Sequence, residues 1–158
     1  KESLEIYKKN GYEHHPWFAW TVGRLGNIYR MLGNYQQAEL CLNQSLDIYR
    51  QQAFEHHPWY AWSLDKLGCT YRDQGKTQEA QRLLEECLKI YEENTYEAHP
   101  WYLDSLKTLG TIHRDLGHLE KANTLLNQCL ATSEKLYGHD HIYTAQMMMN
   151  LGHVYLLK

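Results

Sequence analysis

With four cysteines, three prolines and no long apolar run, this 158-residue sequence is defined first by what it lacks. Cys41, Cys69, Cys87 and Cys129 form no C-x-x-C pair, and each falls in a helical stretch. That argues against a disulfide framework and fits reduced thiols in a cytoplasmic protein. No apolar stretch approaches the roughly 18 residues of a membrane span, and no signal-peptide pattern is visible. A charge excess is missing too. The 16 basic and 19 acidic residues leave a net −3, so bulk electrostatics gives no reason to expect nucleic acid or an anionic membrane as partner. No nucleophile–base pair, phosphate loop or carboxylate dyad stands out, so the chain reads as non-enzymatic and cofactor-free. The glycosylation sequon at Asn43 lies inside a predicted helix and is discounted.

What the sequence does have is repetition. His14-His15-Pro16-Trp17 returns as His56-His57-Pro58-Trp59 and as Ala98-His99-Pro100-Trp101, each 42 residues after the last. One further step reaches Asp140-His141. The pair Leu25-Gly26 keeps the same beat through Leu67-Gly68, Leu109-Gly110 and Leu151-Gly152. A fixed period of this size signals a stacked array, here of about 3.8 units. The divisions expected are 1–13 as the end of a preceding second helix, repeats at 14–55, 56–97 and 98–139, and 140–158 as the first helix of a fourth repeat. Starting and stopping in mid-repeat, the sequence reads as a piece of a longer protein.

Within one repeat, Val22, Leu25, Tyr29 and Leu32 form a helical stripe. Pro16 suits the first turn, and Gly33 stops the helix in the left-handed conformation. A second helix is predicted from about Tyr35 to Gln51, with Ala38, Leu42, Leu46 and Tyr49 on its apolar side. So short a connection makes the two helices, A and B, antiparallel. Gly26, Gly68, Gly110 and Gly152 on A, and Ala38, Ala80 and Ala122 on B, mark where backbones approach. Each such glycine costs about 1 kcal/mol of helix propensity, so its recurrence implies close contact.

These residues resemble the tetratricopeptide repeat pattern W-x2-L-G-x2-Y followed by A-x3-F. Val22, Leu25, Gly26, Tyr29, Ala38 and Leu42 occupy it in the first copy. Leu64, Leu67, Gly68, Tyr71, Ala80 and Leu84 do so in the second, and Leu106, Leu109, Gly110, His113, Ala122 and Leu126 in the third. Met148, Leu151, Gly152 and Tyr155 begin a fourth. The pattern's Trp and Phe are replaced by other apolar residues, and the 42-residue period exceeds the family's usual 34. The longer period resembles the kinesin light chain subtype, and similar repeats occur in sensor regions of signalling ATPases. The resemblance implies an all-α fold, a right-handed superhelical solenoid of antiparallel helix pairs with A helices lining its concave surface. It implies a protein–protein interaction scaffold or, alternatively, the regulatory arm of a larger signalling ATPase.

Paired histidines beside a proline look like a metal or proton-transfer site. Zinc needs three or four ligands at about 2.0–2.1 Å, whereas one loop offers at most two histidines. The reading preferred is structural: His15, His57, His99 and His141 cap the A helices. Trp17, Trp59 and Trp101 then wedge against the preceding helix B, with Tyr12, Phe54 and Tyr96 as partners. His113 is expected to be a satisfied core residue. His118, His139 and His153 have no supporting constellation.

The expected ligand-facing residues are Trp20, Arg24, Asn27 and Arg30 in the first A helix, and Trp62, Lys66, Cys69 and Arg72 in the second. Lys107, Thr111 and Arg114 follow in the third, and Asn150 and His153 in the fourth. The A helices carry seven cations (Arg24, Arg30, Lys66, Arg72, Lys107, Arg114, Lys158) against Asp65, Asp73, Asp104 and Asp115. A relatively basic inner layer in an acidic protein favours an acidic peptide or partner surface. Arg30, Arg72 and Arg114 recur in register. They grip carboxylates of a ligand, or pair with Asp73, Asp115 or helix B acids to knit the stack, and the two readings are compatible. Trp20 and Trp62 either add an apolar shelf or pack between adjacent A helices. Apolar surface at the ends, with Met147, Met148, Met149 and Leu151 at the second, predicts end-to-end self-association.

Overall fold

The structure, a computed structural model, describes residues 2–157, without the side chains of Ser3 and Leu4. Lys158, counted above among the inner cations, lies outside the described residues. Those described form eight α-helices and no strand. In order they are α1 (Glu2–Lys9), α2 (Pro16–Met31), α3 (Tyr35–Gln51), α4 (Pro58–Asp73), α5 (Thr77–Glu93), α6 (Pro100–Asp115), α7 (Leu119–Tyr137) and α8 (Ile142–Leu156). They fall into two compact units, Lys1–Ile90 and Tyr91–Lys158, divided inside α5.

The histidines do cap helices. His15, His57, His99 and His141 are extended, and each accepts the backbone N–H two residues on at Nδ1, at 3.2 Å. In the first three the following proline forces that conformation, because it disfavours helical geometry in the residue before it. The same proline fills the first helical position, where a missing N–H costs nothing. Burial holds the His57 and His99 imidazoles below their ordinary pKa. Only a ring unprotonated at Nδ1 accepts the N–H. Their contribution is therefore complete above the unfolded value of about 6.5 and is lost as pH falls through the lower folded values. Urea denaturation at pH 7.5 and pH 5.0 should show stability falling with acid. Replacing both histidines by Asn, which caps without titrating, should flatten that part of the dependence.

A recurring device ends α2, α4 and α6, and also α1, α3 and α5. At Gly33, Gly75 and Gly117 the backbone is left-handed, with φ of 74°, 79° and 76°. Paired bonds close α2, from Gly33 N–H to Arg30 C=O at 2.9 Å and from Asn34 N–H to Tyr29 C=O at 2.9 Å. The helices α1, α3 and α5 close alike, but the left-handed residue is Gly11, then Ala53 (φ 53°), then Thr95 (φ 58°), whereas α7 stops differently at Gly138. A β-branched residue is a poor fit there. Thr95→Gly is expected to stabilise the protein by up to about 1 kcal/mol, read as a raised urea midpoint with unchanged slope.

Packing follows the small residues. Ala38, Leu42, Leu46 and Tyr49 are all buried, as are Ala80, Leu84, Ala122 and Leu126. A Cβ on Gly26 would lie 2.8 Å from Leu42 Cγ and 3.1 Å from the Ala38 carbonyl. On Gly110 it would lie 2.9 Å from Leu126 Cγ. Gly152 differs, with nothing within 4 Å of that position. The A-helix stripe also needs correction. Val22 is buried, Leu25 and Tyr29 are only half-buried, and Leu32 is exposed. At the far end, Met147 and Leu151 are buried, with Leu151 packed on Ala122 and Leu126 of α7, so the open surface expected there reduces to Met148 and Met149 with Tyr155 and Leu156.

The aromatic wedge is one residue later than predicted. Phe18, Tyr60 and Tyr102, each following the tryptophan, are buried against Tyr7, Tyr49 and Tyr91 at ring separations of 5.9, 6.4 and 5.9 Å. They lie four residues before Val22, Leu64 and Leu106 and so share the inward stripe, while the tryptophan is turned about 100° away. Tyr12 and Phe54 instead face the cap imidazoles of His15 and His57.

Candidate protein-interaction surface

In the first unit, α2 and α4 lie side by side and bring together eight of the expected residues. Their tryptophans interleave. Trp17 meets Trp59 edge-on at 4.8 Å, Trp59 stacks on Trp20 at 5.6 Å, and Trp20 tilts onto Trp62 at 4.7 Å. Lys66 Nζ sits 5.6 Å from the Trp62 ring, within cation–π range. Trp62 is therefore mostly buried and packs between A helices, whereas Trp17 at the outer end is half-exposed. Trp17 and Trp59 were not among the expected ligand-facing residues. Their spacing to Trp20 and Trp62, three residues in each helix, is the signal that would have joined them to one face.

The charges are arranged as pairs. Arg30 Nη1 contacts Asp73 Oδ2 at 2.7 Å, and its Nε donates to Asn27 Oδ1 at 3.1 Å. Arg72 donates Nη2 and Nε to the other oxygen, Asp73 Oδ1, at 2.9 and 3.2 Å. One carboxylate thus serves two guanidiniums. Lys66 Nζ is 2.6 Å from Asp65, a carboxylate only 2% exposed. Arg24 is exposed on the same helix as Arg30. Cys69, expected on the ligand-facing surface, is buried; that burial and the Asp65 charge push its thiol up to about 11. It contributes packing rather than a surface contact.

The second unit holds the remaining five, and its cations are neutralised differently. Arg114 places Nη2 and Nε on Asp115 Oδ1 at 2.7 and 2.9 Å. Lys107 Nζ is 2.7 Å from Asp104 and 5.1 Å from the centre of the Tyr143 ring. Asp104 also accepts the Tyr143 hydroxyl at 3.0 Å. Burial first, then the Asp104 charge, holds that phenol above its ordinary range, so it remains a donor. Thr111 donates to the Thr108 carbonyl at 2.8 Å. Asn150 is half-buried and His153 exposed on α8. His113 is buried, with Nδ1 3.4 Å from Nδ1 of His118, which gives His118 a partner the sequence did not suggest. Among the described residues no group of three or more His, Cys, Asp or Glu is placed to hold a metal. No helix among them is long and apolar enough to cross a membrane.

Capped helix pairs, locked by glycine against Ala and Leu and repeating every 42 residues, define an all-α repeat protein with a polar, partly aromatic face on its A helices. The tetratricopeptide repeat family profile matches residues 1–51, 49–93 and 106–158, and the chain belongs to that family of helix-pair solenoids. No curated protein matches the sequence. Among solved structures, the nearly identical TPR-like repeats assigned to a Podosopora anserina kinesin light chain share 26% identity. That match covers 90% of this chain and 68% of that one, with a TM-score of 0.80. BtubC (BKLC) from P. vanneervenii superposes with a TM-score of 0.84 over 98% of this chain and 62% of its own. At 23% identity that likeness speaks for the fold alone. The repeats are thus kinesin light chain-like, and the chain is a protein–protein interaction scaffold.

Proposed function

We propose that the A-helix face binds an acidic peptide or an acidic patch on a partner protein. The observation that carries this reading is the charge of α2 and α4. Arg24, Arg30, Lys66 and Arg72 face only Asp65 and Asp73 there, a surplus of two positive charges in a protein of net charge −3. Guanidiniums already set in fork geometry accept a further carboxylate at little entropic cost. The interleaved tryptophans beside them supply rigid apolar area of the kind that anchors interfaces. No catalytic step is assigned to this face, and the repeats of this family are typically non-catalytic. The test replaces Arg30, Arg72 and Arg114 together by Gln and compares the proteins retained from lysate on wild-type and variant beads. Loss of acid-rich partners, with the helical circular dichroism intact, is expected. An unchanged set of partners would remove the reading.

A further inference from the structure

Resting on that reading, we propose that the anion subsite lies between Arg30 and Arg72, and that Asp73 occupies it as an internal stand-in for the ligand's carboxylate. The three arginines recur in register, yet their carboxylates do not. Arg72 is followed by Asp73 and Arg114 by Asp115, but Arg30 is followed by Met31. Asp73 therefore bridges two guanidiniums, one through each oxygen, at 2.7 and 2.9 Å. Two cations on one carboxylate leave a net positive charge at the triad. In the second unit each A-helix cation among the described residues that is ion-paired has a carboxylate of its own, Lys107 with Asp104 and Arg114 with Asp115. The surplus is therefore confined to α2 and α4, where Arg24 adds to it.

The triad is also reachable. The side chains of Arg30, Asp73 and Arg72 retain 20%, 21% and 37% of their exposure, so an incoming carboxylate meets them without unfolding a helix. Arg30 gives Asp73 only one nitrogen while its Nε is held by Asn27, so its remaining Nη2 edge is oriented by protein contacts before any ligand arrives. A ligand carboxylate binds there against competition from Asp73. The aspartate thereby sets a threshold: isolated acids exchange poorly, and a run of acidic residues is needed to displace or outbid it.

The experiment is fluorescence anisotropy with fluorescein-labelled hexaglutamate at low salt, with hexaglutamine as the neutral control. Asp73→Asn should tighten hexaglutamate binding by about five-fold or more, since it removes the competing charge and leaves both guanidiniums in place. Arg30→Gln and Arg72→Gln should each weaken it by a similar factor, while Arg114→Gln should change it less than about two-fold. Equal losses at Arg114 and Arg30 would overturn the subsite. So would an Asp73→Asn protein that keeps its helical spectrum yet binds no better than wild type. If Asp73→Asn does not fold, the contrast between Arg30 and Arg114 decides alone. Absence of hexaglutamate binding in every variant would remove the acidic-ligand reading itself. Binding that ignores only Asp73 and Arg30 would remove the subsite and spare that reading.

Discussion

Gly26→Ala should cost about 2 kcal/mol of stability, whereas Gly152→Ala should cost nothing and add up to about 1 kcal/mol. The same substitution in the same repeat position differs in sign because the surroundings differ. At Gly26 the new methyl meets Leu42 Cγ at 2.8 Å, Cys41 Cβ at 3.1 Å and the Ala38 carbonyl oxygen at 3.1 Å. Leu42 can shift its rotamer only into other buried atoms, and the carbonyl belongs to a helix backbone. Relief therefore requires α3 to move away from α2, which loosens Ala38, Leu42 and Leu46 together. Overpacking of this kind costs roughly 1–3 kcal/mol, against which Ala's better helix propensity returns about 1 kcal/mol. A loss near 2 kcal/mol therefore requires the clash to lie at the upper end of its range. At Gly152 only the propensity gain remains, because nothing lies within 4 Å. Urea denaturation of the two variants beside wild type reads the contrast directly. Equal stability of Gly26→Ala and wild type would show that the helix pair has slack the geometry denies.

How much of this was visible beforehand depends on the range of the interaction. Helix starts were legible because His-Pro acts within three residues: proline fixes the backbone and histidine reaches the next N–H but one. The close approach at Gly26, Gly68 and Gly110 was legible because a costly residue repeated at one register has few explanations, but the same inference fails at Gly152, where nothing lies within 4 Å. The ends of the B helices were not, since Ala53 and Thr95 carry no left-handed signature. Only Gly11, at the same register, hints at it. The tryptophan interleaving was only half legible. Packing of Trp20 and Trp62 between A helices was one of two readings left open, and the three-residue spacing puts Trp17 and Trp59 on the same faces, but the ring contacts between α2 and α4 depend on the distance between neighbouring A helices, which no spacing within one helix reports. The arginines show the same limit. Their register was plain, but the sharing of Asp73 between Arg30 and Arg72 joins residues 43 apart, and both acceptors and donors recur along the chain. The structure therefore shows internal pairing where the sequence left pairing and binding both open and compatible, and the surplus charge in the first unit is what supports the proposed binding role for the same residues.

Lys66 shows how charge read from a sequence differs from charge available to a ligand, and Lys66→Met should destabilise the protein by about 3 kcal/mol. Its ammonium stands 2.6 Å from an Asp65 carboxylate that is almost wholly removed from water. Forming such a pair gains little overall, because two desolvation penalties offset the attraction. Removing one member is different, for it takes the paired ammonium from a carboxylate held in a low-dielectric site. Methionine keeps most of the lysine stem's packing while removing the ammonium, and with it the Trp62 cation–π contact, so the loss measures charge rather than a cavity. Asp65→Asn added to Lys66→Met removes that charge and should recover most of the stability. A double variant no better than the single one would show that packing, not charge, was lost. The same pairing bears on binding. A lysine committed to a buried partner offers little net field to a ligand, so Asp65→Asn with Lys66→Met should leave hexaglutamate affinity within about two-fold of wild type. A loss as large as that at Arg30 would put Lys66 back among the residues that hold the ligand.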